Sequence, residues 1–240
     1  VHPESPVCRV MVAWGNAWLA GHVGLDEAAD RVESAGGPTV LGEVTLRRHL
    51  ADLRGDGLSE FRLALPAPGD PLGLSGPPEF NAAAVEARQA VIAVLPERRL
   101  GLVPFTDRRG SSYVGVRMSV HEAGPVRHDL PSVAEAEREL SGAMRAATEV
   151  LAGVDGPAPV RPDRLGAGGG ELAPGYPARA HRVASLAARL ATVLRLAGER
   201  GLTSGQVTAR DAALRELDHA VRRALVASCH AILEPSPDRP

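Results

Sequence analysis

The chain has 240 residues, 44% hydrophobic and 23% charged, with a net charge of -2: an ordinary globular composition, long enough for one large domain or two small ones. A near-neutral balance and only seven aromatic residues argue against general nucleic-acid binding and against attraction to an anionic membrane. All 27 basic residues are arginine, which removes Schiff-base lysines, phosphate-loop lysines, the kinase strand lysine and Ser-x-x-Lys acyl transfer.

In chain order, Val10 to Val23 is apolar but spans only fourteen residues and includes Asn16 and His22. That is too short for a membrane span, and with Trp14 and Trp18 at i,i+4 spacing it predicts a core helix, followed by a second short helix after a Gly21/Gly24 break. "TLRRHLADLRGDG" places Leu46, Leu50 and Leu53 on one helical stripe, and "LSEFRLAL" alternates with strand period. Five prolines and three glycines make residues 66–80 an irregular loop. Asn81 then looks like a helix N-cap, with Phe80 and Val85 as a hydrophobic staple and a helix expected to run to about Leu95. "RLGLVPF" and "SYVGVRMSV" read as two strands joined by a polar connection, "TDRRGS".

From residue 131 the pattern becomes helical. Ser132 and Glu135 form a capping box ahead of a stripe of Val133, Leu140, Met144, Ala147 and Leu151. Residues 153–175 carry seven Gly and four Pro and read as a linker or functional loop. Two long helices follow, one expected to bury Val183, Leu186, Leu190, Val193 and Ala197, the other Val207, Leu214, Leu217, Val221, Leu225 and Ile232. The fold class is therefore α+β (or α/β): a small mixed sheet with packed helices over residues 1–130, then a C-terminal helical bundle over 131–240 interrupted by the linker.

The glycines of "RLGAGGGELAPGYPARAHRV" do not make a phosphate cradle, because no strand precedes them, Lys is absent, and Pro174 and Pro177 intervene. Gly175, Tyr176 and Pro177 instead mark a helix start, where Tyr176, a poor cap, is expected to pack its ring on the sheet or a neighbouring helix. With Arg179 one turn on, Tyr176 could also flank an anion at that helix mouth. The hairpin offers a second group of donors to phosphate or carboxylate in Arg108, Arg109 and Ser111. His121, Glu122, His128 and Asp129 lack metal-site spacing, His219 and His230 are eleven residues apart, and "GLSGP" and "RGSSYVG" miss the nucleophile-elbow pattern. No catalytic residue, metal or cofactor is expected. Cys8 and Cys229 read as buried or incidental thiols of a reducing compartment.

"LAPGYPARAHRVASLAARL", together with "PGDPLGLSGP" and "LRELDHAVRRALVA", resembles an actinobacterial protein family of unknown function over most of the chain. The resemblance implies a bacterial, cytoplasmic setting and no particular chemistry. The expected function is a non-catalytic binding or regulatory protein acting through protein contacts, with a homodimer through the Ala/Leu-rich helices as one form. The alternative is an enzyme or sensor for a small anionic ligand.

Overall fold

The computed structural model describes residues 7–109, 113–125, 130–152, 171–198 and 207–234. The chain divides into two compact units: one holds residues up to Leu130, Leu172–Pro177 and the chain from Cys229 onward, and the other holds Pro131–Glu171 and Ala178–Ser228.

The first unit is built on a six-stranded mixed sheet. Its strands are β1 (Thr39–Leu41), β2 (Val44–Thr45), β3 (Glu60–Ala64), β4 (Ala90–Val94), β5 (Arg99–Arg109) and β6 (Tyr113–Glu122), in the order β2-β1-β6-β5-β4-β3. Only β1 and β6 pair in parallel. α1 (Val7–Leu19) is apolar on nearly every side and is buried accordingly, with Trp14 and Trp18 under the guanidiniums of Arg31 and Arg54 at 4.7 and 4.9 Å. α2 (Leu25–Gly36) follows α1, and α3 (Leu46–Gly55) buries the expected Leu46, Leu50 and Leu53.

Three expectations are corrected here. The helix expected from Asn81 to Leu95 is α4 (Pro78–Ala87), ended by Arg88 in a left-handed conformation (φ 56°), and Ala90–Val94 is an inner strand. A short apolar run such as AVIAV, buried on both faces, has no period that separates strand from helix. Asn81 is likewise not the N-cap: the helix starts at Pro78, and the Asn81 amide donates to the Gly76 carbonyl at 2.8 Å. Phe80 packs where Gly101 leaves room, since a Cβ at Gly101 would collide with its ring, and together they anchor the core of Leu74, Ala84, Ile92 and Val103. The polar connection of the hairpin is also shorter than expected, because Thr106 to Arg109 continue β5 in register with β6.

The second unit contains α5 (Val133–Ala152), α6 (Ala178–Gly198) and α7 (Val207–His230). The capping box forms: the Ser132 N-H and hydroxyl donate to Glu135 at 2.9 and 2.7 Å, and the Glu135 N-H returns to Ser132 Oγ at 3.3 Å. Arg179 pairs with Glu137, and Leu186 lies beside Met144 and Arg145, so α6 runs parallel to α5. The Arg223–Glu139 pair sets α7 against the same stretch of α5. Parallel neighbours require the chain to return the length of α5, about 30 Å, which a 25-residue connection from 153 to 177 can cover.

The expected helix stripes are buried along only half their length. Val133, Leu140, Ala147, Val183, Leu217, Val221 and Leu225 are buried. Met144, Leu151, Leu186, Leu190 and Leu214 are half-exposed, and Val193 is 37% exposed. Periodicity identifies the apolar side of a helix but not how far along it a neighbour reaches. Ile232 lies past α7 in a 3-10 turn (Ala231–Leu233), and the side chains of Ala197 and Val207 lie outside the described residues, as do His128, Asp129 and the Pro-rich tail after 234.

Candidate functional site

The sequence-selected polar residues fall in three places. Strand alternation puts Phe105, Asp107 and Arg109 of β5 on the same face as Tyr113 and Arg117 of β6, while Arg108, opposite Val114, is on the other face. Arg109 is turned onto Asp107, at 2.8 to 3.3 Å from both carboxylate oxygens, and lies over the Tyr113 ring at 5.6 Å. Arg117 donates to the Gly42 carbonyl at 2.7 Å and reaches Glu43 at 3.0 Å and Asp107 at 3.5 Å. The Arg109 hydrogen bonds hold the Asp107 carboxyl below its usual range. Two arginines against two carboxylates leave this cluster without net charge. Ser111 lies outside the described residues.

Tyr176 is buried, and its hydroxyl donates to the Cys229 carbonyl at 2.9 Å, so its ring packs against the end of the last helix. Burial pushes its phenol upward. Arg179, in the other unit, pairs with Glu137 at 2.7 Å. The structure thus places Arg109 in a neutralised cluster on the sheet, Tyr176 in a core and Arg179 in a surface ion pair.

Asn16 and His230, which the sequence did not select as site residues, do more. β3 is a sheet edge, and its outward main chain is closed by side chains. The Asn16 amide donates to the Phe61 carbonyl at 2.8 Å and accepts the Phe61 N-H at 2.7 Å. Next along the strand, the Leu63 N-H donates to His230 Nε2 at 2.8 Å. An accepting Nε2 requires a neutral ring, and burial, reinforced by Arg62, pushes the His230 pKa down to about 3. A lone Asn in an apolar helix and a His at a helix end were the available signals, but neither names its partner. Cys8 and Cys229 are both free and buried, and burial raises both thiols, Cys229 to about 12.

No catalytic geometry comes with these features. Ser119 Oγ and His121 Nε2 lie 2.9 Å apart on β6, yet Ser119 also reaches the Val103 carbonyl, and no carboxylate orients His121 among the described residues. No group of three or more His, Cys, Asp or Glu among the described residues could hold a metal ion.

A further feature among the described residues is a groove of about 490 Å³ along the far half of α5, lined by Ser141, Met144, Arg145, Thr148 and Glu149, with Leu186 of α6. Those α5 residues recur at i, i+3, i+4, i+7 and i+8, which is one face of a helix. One and two turns beyond Leu186, Leu190 and Val193 extend the same side of α6. Among the α5 residues from Ser141 to Leu151 only Ala147 is buried, and none is buried in α6 from Ala188 to Leu196. Ser141, Arg145, Thr148 and Glu149 give the groove a polar wall, and Met144 and Leu186 supply its apolar surface.

No described helix is long and apolar enough to cross a membrane. No curated protein and no solved structure matches the chain. Two family models do match, the Rv1486c-like protein N-terminal domain over residues 9–132 and the Rv1486c-like protein C-terminal domain over 134–226. The chain belongs to the family of Rv1486c-like proteins.

Proposed function

We propose that this chain is a non-catalytic binding or regulatory protein that works through protein contacts made by its helical bundle. The supporting observation is the far half of that bundle, where Met144 and Leu186 line a groove while half-exposed and Leu190 and Val193 continue the same side of α6 without being buried. Burying each of these side chains on a partner is worth roughly 1 to 2 kcal/mol, a contribution the chain forgoes alone. The setting proposed is a reducing bacterial cytoplasm, consistent with two buried, unpaired thiols.

The test compares wild type with Val193→Asp, a change at a position already 37% exposed and therefore compatible with folding. The expected result is a protein contact formed by wild type and lost by the variant, at unchanged unfolding temperature. The reading fails if Val193→Asp alters no contact while a nucleotide, sugar phosphate or carboxylate raises the unfolding midpoint and Arg109→Ala removes the rise. At 100 times its dissociation constant such a ligand would add about 2.7 kcal/mol.

A further inference from the structure

Building on the protein-contact reading, we infer that the occupant of the α5–α6 groove is a second copy of this chain, with α5 of each copy lying antiparallel in the groove of the other. Charge is the first argument. Arg145 and Glu149 line the groove one turn apart, and among the described residues neither makes an ion pair. Elsewhere in this unit Arg179, Arg222 and Arg223 are matched with carboxylates, whereas Arg138, Arg182 and Arg215 are not, among the described residues. Within one helix, Arg placed N-terminal to Glu is the weaker order for an i,i+4 pair. Across a two-fold axis at the level of Ala147 the same residues become complementary, because Arg145 of each copy meets Glu149 of the other, and the pairing is made twice.

Shape and composition point the same way. Gly142 is on the same side of α5 as Arg145 and Glu149, and nothing lies within 4 Å of where its Cβ would stand, so a second helix can approach closely. Leu186, Leu190 and Val193 then flank the incoming helix, and the four helices of two copies close a bundle that the isolated unit leaves half open. Two helices exposing three turns each form an interface at the small end of the stable range, so a dissociation constant in the micromolar range is expected.

Sedimentation velocity on the full chain, from about 1 to about 200 µM, tests this together with a charge-reversal cycle. Wild type is expected to pass from 25.0 kDa to twice that mass as concentration rises. Arg145→Glu and Glu149→Arg should each weaken the dimer at least tenfold, and the double variant should return to within about threefold of wild type. Unfolding midpoints of all four proteins check that they are folded. A wild type that stays monomeric at the highest concentration overturns the second copy. If Val193→Asp nevertheless loses a contact with a different protein, the protein-contact reading stands without it. A dimer insensitive both to Val193→Asp and to the single charge reversals overturns the pairing and the proposed face together.

Discussion

The edge of β3 and the far half of the bundle are both surfaces on which another chain could settle, and the protein treats them in opposite ways. An unpaired strand edge is a template for further strands. Here Asn16 occupies the outward N-H and C=O of Phe61, and His230 the outward N-H of Leu63. Among the described residues the α5–α6 face has no such cover, although an apolar-to-polar change at Leu190 or Val193 would have supplied one. Closing the first surface stabilises the fold, whereas leaving the second open forgoes roughly 1 to 2 kcal/mol per apolar side chain, which under the proposed reading a partner would restore.

Breaking the closed edge should have the largest effect. Asn16→Leu removes both partners of Phe61 and buries its N-H and C=O unpaired, at a cost of about 2 to 4 kcal/mol in chemical unfolding, and the opened edge should make the variant prone to association. A stability close to wild type would mean that the strand edge finds other partners.

His230 makes the same edge sensitive to acid. The folded state holds its pKa near 3 against an ordinary value near 6.5, so between those values the unfolded chain binds a proton that the folded chain does not. Stability from this group is therefore complete above about pH 6.5 and declines as pH falls toward 3, by up to several kcal/mol. Urea unfolding at a series of pH values should show that decline, and His230→Gln, which has no titrating ring, should flatten it between pH 6.5 and 4 at the cost of a lower plateau. An unchanged slope in the variant would place the titration elsewhere.

Ser132→Ala comes next. Losing the reciprocal bonds with Glu135 should lower the unfolding midpoint by roughly 2 to 5 °C in a thermal scan. Val193→Asp should move the midpoint least while abolishing association, and a large loss of stability there would mean that the open face is closed within the single chain. That ordering, with stability lost at the edge and association lost at the groove, is the sharpest expression of the difference between the two surfaces.

By itself the sequence determined what local chemistry determines. The i,i+4 tryptophans of α1, the leucine stripe of α3, the alternation of β3 and the Ser132–Glu135 box all name their own element, because each signal lies within one or two turns of chain. The absence of lysine and the near-neutral charge likewise narrow the chemistry before any fold is known. Tertiary structure decided the rest. AVIAV became strand β4 because it is enclosed on both faces, and Arg109 became a structural cation because Asp107, two residues away on the same face, could reach it. Asn16 and His230 became edge closures through partners 45 and 167 residues away. The length over which α5 and α6 are buried was decided in the same way: a stripe fixes which side of a helix is apolar, but only the packing of its neighbours fixes how much of that side stays open to a partner.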